Sequence, residues 1–352
     1  AAYGAAGNSQ HGGSAMIIEI SEKASNAPGR EESRSTPVAF LQRYGREVGL
    51  PVIVVAMAIF FSFNSGVFLS LSNFRNIGVS AAALAAVSFG QTFAILTAGL
   101  DLSVGATVAL VSIVGALVMR DHGVAAGLAA SLIAGAAVGL VNGIVITRFK
   151  VFPFIATLAM MSIVSGLALS LSGGVAVTGV PEAFSSLAYA RTFGIPIPVV
   201  IALAVLAICI VVLRYTKLGR RIYATGGNEE AARLSGIAIG TIKVAAYVLS
   251  GLCASVGSLI LTARVASGQP SLGATLPLES VAAVVLGGVS LFGGRGSVVG
   301  VAFGVLFISI LSNGLNLLNV PSYTQMMVIG GALILAVSLD QTFIGSRLGK
   351  RS

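Results

Sequence analysis

The sequence has little charge. Only 9% of its 352 residues are Asp, Glu, Lys or Arg, against about 25% in an average soluble domain. With 56% hydrophobic residues and a mean hydropathy of +0.97, that scarcity excludes a soluble protein carrying a single anchor. Cysteine is scarce too: Cys209 and Cys253 both lie inside apolar runs, which excludes a disulfide framework and makes them small core residues. The two histidines, His11 and His122, are far apart, and no CxxC or HExxH spacing occurs, so no metal site is expected. There is no GxSxG nucleophile elbow and no GxxxxGK[ST] phosphate loop. Gly293-Gly294-Arg295-Gly296 is glycine-rich but lacks the lysine and the strand–helix setting, and reads as a tight turn between helices. The chain is expected to be no enzyme, to bind no cofactor, and not to bind and hydrolyse ATP itself.

What is abundant points to a bilayer. The 44 glycines suit close packing of helices in lipid, where small residues let backbones approach. The formal charge of +9 suits cytoplasmic loops facing anionic lipid better than a nucleic acid. Ten apolar segments have the length to span: 48–71, 77–98, 101–119, 124–147, 151–171, 197–213, 244–262, 277–293, 297–318 and 324–340. The segment at 277–293 is short enough to be partly re-entrant. The expected fold is an all-α polytopic membrane protein of about ten transmembrane helices. Residues 1–47, polar and rich in Gly, Ser, Glu and Arg, read as a disordered leader. It opens without a methionine, which makes Met16 a candidate start and residues 1–15 a start-site artefact. Residues 48–343 form the membrane domain and 344–352 a tail, and Gly173 to Pro196 is expected as a loop on the outer surface. The short likeness between Asn142-Gly143 ahead of Pro153 and Asn313-Gly314 ahead of Pro321 is too slight to carry function.

Lys and Arg give the orientation. With the N-terminus in the cytoplasm, 17 of them fall inside, and 4 (Arg75, Arg120, Arg191 and Arg264) fall outside, accounting for all 21. Both termini are therefore expected in the cytoplasm, together with the polar island from Arg214 to Lys243. Within that island Gly226-Gly227 reads as a chain break and Asn228 as a helix cap. Glu229 and Glu230 fall in the first turn, where negative charge suits the helix dipole. Ala231 and Ala232 favour helix, Arg233 stands near its end, and Leu234 and Ser235 lead to Gly236 as the C′ residue. A helix of about two turns is unstable alone in water, so a partner or the rest of the chain must hold it.

A polar side chain at membrane depth needs a partner. Asp101 lies in LTAGLDLSVGA and is read as the N-cap of the helix that follows, in preference to a direct substrate contact. Glu279 follows Pro277 and is read as a first-turn carboxylate, with an external vestibule as the alternative. Gln91 falls mid-span, where helix bridging and lining of a pathway stand equal. For Asn142, Asn313 and Asn316 bridging is the favoured one of the same two roles. These six are the translocation-path candidates. No charged ring appears, which argues against a proton relay or ion pore and suits a neutral polar solute that slips past.

Four stretches carry a resemblance: LTAGLDLSVGATVAL from Leu96, VNGIVITRFKVFPFIATLAMM from Val141, ATGGNEEAARLSGI through LILTAR at 224–264, and 278–320. The chain resembles the permease subunit of bacterial ABC importers for monosaccharides, the group of ribose, xylose and fructose permeases. Branched-chain amino-acid permeases share the architecture but usually differ in the first stretch. The resemblance implies that residues Gly227 to Gly236 (Gly227, Asn228, Glu229, Glu230, Ala231, Ala232, Arg233, Leu234, Ser235, Gly236) form a coupling helix docked on a separate ABC ATPase. It also implies a second permease copy, a periplasmic or extracellular sugar-binding protein, a multi-pass location in the bacterial inner membrane, and alternating access. The alternatives are import of a nucleoside, of autoinducer-2 or of a branched-chain amino acid, or a secondary transporter.

Overall fold

The computed structural model describes residues 37–334, with side chains from residue 49 onward. Most of the expected leader, the tail 344–352 and the end of the last apolar segment lie outside the described residues. Helix α1 (Pro37–Asn64) begins well before the limit of 48 expected for the first segment. In chain order follow α2 (Leu71–Leu96), α3 (Val104–His122), α4 (Val124–Arg148) and α5 (Pro153–Ser172). A short α6 (Glu182–Ser185) precedes α7 (Ile197–Tyr215), α8 (Lys217–Gly227) and α9 (Glu229–Leu234). The described chain closes with α10 (Ile239–Val265), α11 (Leu276–Leu286), α12 (Val298–Leu317) and α13 (322–334).

Seven of these helices are long and apolar enough to cross a membrane: α2, α3, α4, α5, α7, α10 and α12. The protein is an all-α polytopic membrane protein. Helix α11 has 11 residues, which at about 1.5 Å each is roughly half of a ~30 Å hydrocarbon core. It stops because Gly287 and Gly288 end it, Gly288 with φ of 83°. The apolar run at 277–293 therefore contains a half-length helix and a turn.

Helices α2 and α10 form the centre. Helix α2 is buried around most of its circumference, as an all-round apolar helix must be. The approach of α4 to α10 is set by small residues. Gly135 and Gly139 face the backbone of Gly251 and Tyr247 so closely that a Cβ on either would collide with it. Hydroxyls then lace the helices together: Ser258 Oγ donates to Val108 O at 2.7 Å, and Thr262 Oγ1 to Ser112 Oγ at 2.7 Å. Such bonds stabilise helix pairs in lipid by about 0.6–2 kcal/mol each.

The segment expected as an outer loop is partly ordered. It contains α6, a turn of 3₁₀ helix (Ser186–Ala188) and a two-residue antiparallel pairing of Arg191 with Pro196 and Thr192 with Ile195. Phe184 and Ala188 are buried with Met119 and Ala263, which explains why the segment packs down. Tyr189 Oη donates to the carbonyl of Arg264, and Gly179 lies against Arg120. This end of α10 is opposite the end that carries Lys243 and meets α9.

Candidate functional site

Helix α9 takes the local form its residues prescribe. Asn228 adopts an extended backbone, and its side chain accepts from Ala231 N at 2.9 Å. Glu229 and Glu230 fill the first turn and Arg233 the last, with Glu230 paired to Arg233. At the other end Gly236 has φ of 80°. Its N–H donates to Arg233 O at 2.9 Å, and Ile237 N donates to Ala232 O at 3.1 Å. These two bonds make a Schellman stop. Only Ala232 turns inward; Leu234 stands 80% exposed. The chain holds α9 through Glu229, which pairs with Lys243 Nζ at 2.6 Å on the first turns of α10.

The expected chain break at Gly226-Gly227 is corrected by the structure. Both glycines belong to the last turn of α8. A Cβ at Gly226 would collide with Leu96 O at the end of α2, and Gly294 N donates to that same carbonyl at 3.0 Å. Glycine is required there for close approach of two backbones, not for a turn. Tyr223 Oη, on the same helix, donates to Gly296 O at 2.9 Å. Burial pushes the Tyr223 phenol above its ordinary value, which keeps the proton available for that bond. The glycine-rich turn at 293–296 thus clasps α8 to the end of α2.

Beyond Leu96 the chain leaves helical form until Val104, and every residue from 97 to 103 except Ala98 is buried or half-buried. Irregular backbone at this depth needs internal partners for its polar groups. They come from four helices. Tyr247 Oη and Thr157 Oγ1 both donate to Leu100 O, at 3.3 and 3.1 Å. Gln91, with its amide set by its partners, donates to Asp101 O at 3.1 Å and accepts from Asp101 N at 3.3 Å. The Asp101 side chain, 2% exposed, gathers the rest. Its Oδ1 accepts from Ser103 N at 3.1 Å and Ser103 Oγ at 2.6 Å, and its Oδ2 from Ser250 Oγ at 2.8 Å. Asn142 Nδ2 donates to Ser103 Oγ at 2.8 Å and approaches Asp101 Oδ1 at 3.5 Å.

Asp101 is therefore not the N-cap that its sequence setting suggests. The residue before α3 is Ser103, and Asp101 closes a turn onto Ser103 N from two positions upstream. The six path candidates separate into two groups. Gln91, Asp101 and Asn142 come together in this closed node and bridge helices. Glu279, Asn313 and Asn316 line a cavity of about 340 Å³ near the opposite end of α10. Glu279 is in the first turn of α11, as expected. Asn313 exchanges two hydrogen bonds with Asn73, at 3.0 and 2.9 Å, and Asn316 Oδ1 accepts from Gln325 at 2.8 Å. Arg264 and Ser80 share this cavity, with Arg264 Nη1 donating to Ser80 Oγ at 3.0 Å. The sequence flagged neither as a cavity residue, since Arg264 counted only toward orientation. Ser103, Ser250, Tyr247 and Thr157 were likewise unmarked: hydroxyls in apolar runs are common, and their convergence on one loop depends on packing. Among the described residues no group of His, Cys, Asp and Glu has the geometry to hold a metal ion.

Comparison with known proteins places this arrangement among transport permeases. The family described as "Branched-chain amino acid transport system / permease component" matches residues 73–337. The ribose import permease protein of Bacillus subtilis is 41% identical over 304 residues, covering 86% of this chain and 93% of that protein. The D-allose transport system permease protein of Escherichia coli is 36% identical, covering 88% of this chain and 96% of that one. The L-arabinose transport system permease protein of the same organism is 37% identical, over 85% and 90% respectively. No solved structure matches.

Proposed function

The chain belongs to the branched-chain-type family of transport permease components, and from that premise we propose that it is the membrane subunit of an ATP-driven importer of a monosaccharide. One observation carries the reading. Relatives 36–41% identical over nearly their full length are named for ribose, D-allose and L-arabinose, all aldoses. The subunit is non-catalytic, binds no cofactor, and leaves ATP and Mg to a separate ATPase. It works as a pair of copies in the bacterial inner membrane, with a periplasmic or extracellular sugar-binding protein on the outer side. The chain makes about ten passes, α11 serving as a half-length one, and both termini lie in the cytoplasm.

Helix α9 is the part that meets the ATPase. Its exposed face of Glu230, Ala231, Arg233 and Leu234 is capped at both ends by its own sequence and bound to the chain by few contacts. A groove-bound amphipathic helix has this form. Two links lead from α9 into the membrane. One runs through α8, Gly226 and Gly294 to Leu96. The other runs through Glu229 and Lys243 along α10 to Ser250 and Asp101. The first ends where the irregular segment 97–103 begins, and the second ends within it. Rigid-body rocking about such a segment gives alternating access.

The test is uptake into proteoliposomes holding the permease with its ATPase and binding protein. ATP-dependent accumulation of D-ribose, D-allose or L-arabinose is expected. Uptake of L-leucine in their place would support the amino-acid alternative, a nucleoside or autoinducer-2 response would support those, and uptake on an ion gradient without ATP would support a secondary transporter.

A further inference from the structure

The cavity between α2, α10, α11 and α12 has a feature that simple passage of a solute does not require. It holds two opposite charges that do not pair. Arg264 ends α10 and Glu279 opens α11, and both line the same space of about 340 Å³. Among the described residues, no carboxylate lies within ion-pair distance of Arg264 and no cation within that distance of Glu279. Glu279 is half-buried, while Arg264 stands exposed at the outer rim of the space; a carboxylate partly withdrawn from water with no cation beside it is costly, and it asks for a partner.

The free valences are countable. A guanidinium carries five N–H donors, and Arg264 commits one direction, Nη1 to Ser80 Oγ. The Glu279 carboxylate accepts and, ionised, cannot donate. Ser309 and Ser312 of α12 also line the space, and neither hydroxyl is engaged in a hydrogen bond among the described residues. The volume falls at the small end of the roughly 300–1,000 Å³ range of small-molecule sites. A ligand that satisfies this set must donate to a carboxylate, accept from a guanidinium and meet hydroxyls between them. A hydroxyl group both donates and accepts, so neighbouring hydroxyls on one small neutral molecule do all three.

We propose that this cavity is a binding site for monosaccharide hydroxyls within the permease, and that Glu279 and Arg264 are its specificity-determining pair. The proposal rests on the sugar-import reading and extends it. The permease itself selects among sugars after the binding protein has done so, instead of offering only a neutral passage. A zwitterionic amino acid would also use both charges but would leave the serine hydroxyls idle, so it is the competing ligand.

The experiment uses the complete complex in proteoliposomes, with wild type, Glu279→Gln and Arg264→Lys. The sugar among D-ribose, D-allose and L-arabinose that wild type carries fastest is compared with its monodeoxy analogues, and the yield of assembled complex is followed in parallel by size exclusion. The same binding protein serves every variant, so its own selectivity cancels in the comparison. Uptake of the parent sugar should fall about tenfold in each variant, the loss expected for a hydrogen bond to a charged group. Its preference over at least one deoxy analogue should shrink by a similar factor, while the yield of assembled complex stays near wild type. Preference ratios that all stay within about twofold of wild type in both variants overturn the proposal, as does a loss of uptake matched by an equal loss of assembled complex. Leucine uptake in wild type that Glu279→Gln abolishes overturns it in favour of the amino acid. Failure of wild type to carry any of the three sugars defeats the import reading itself, and is seen before any variant is made.

Discussion

Asp101 shows what one residue does when water is absent. A carboxylate at 2% exposure with no cation within ion-pair distance among the described residues is tolerable only because hydrogen-bond donors surround it. Removing the side chain strands three of them: Ser103 N, Ser103 Oγ and Ser250 Oγ. At about 1–3 kcal/mol for each buried donor left without a partner, Asp101→Ala should cost about 3 kcal/mol or more. Ser250→Ala removes a single bond and should cost about 1–2 kcal/mol. Thermal unfolding in detergent checks the ranking; equal losses for the two would contradict a carboxylate shared by several donors.

A second residue-scale contrast separates two adjacent glycines. A Cβ at Gly226 meets Leu96 O and Gly294 N, both backbone, whereas at Gly227 it meets nothing within 4 Å. Gly226→Ala should reduce the yield of monodisperse folded protein sharply, and Gly227→Ala should leave it unchanged. Size-exclusion profiles of the two variants read this directly. The pair looked equivalent in the sequence, where two consecutive glycines suggest a turn; a helical glycine kept for backbone contact leaves no local signal.

Among the elements, α9 is the one whose form is written locally. Its cap, acidic first turn, basic last turn and left-handed stop all lie within nine residues, so no distant contact was needed to foresee it. Only six residues are helical, and so short a helix depends on its ends. Asn228→Ala should remove about 1 kcal/mol. The measurable outcome is weaker capture of the ATPase subunit in a pull-down, with the membrane domain's melting temperature unaltered. Unaltered capture would remove α9 from the contact. Helix α11 shows the opposite case. Its apolar run is long enough to suggest a span, and composition does not reveal that Gly287 and Gly288 end the helix after 11 residues. The run beyond them is a turn that lays Gly293 and Gly294 against α8 and the end of α2 and leaves Phe292 exposed.

For the whole molecule, the arrangement of the ends is the strongest expectation that charge bias supplied. Contacts gather Arg120, Tyr189 and Arg264 at one end of the bundle and α8, α9 and the 293–296 turn at the other. Single cysteines at Ala231 and Leu187, introduced where Cys209 and Cys253 are replaced, should react with an impermeant maleimide from opposite sides in oriented vesicles. Labelling of both from the same side would contradict the charge-based orientation.

The sequence by itself determined the class of protein, the short capped helix α9 and the fact that each buried polar residue must have a partner. These follow from composition and from interactions within a few residues, which any linear reading contains. Tertiary structure alone decided who the partners are. Gln91 turned out to serve the backbone of Asp101, Asn313 to serve Asn73, and Arg264 to face the cavity of Glu279 without pairing with it. Helix register and crossing fix such meetings, and in lipid these come from the fit of small residues such as Gly135 and Gly251, a property of two surfaces together that neither segment carries alone.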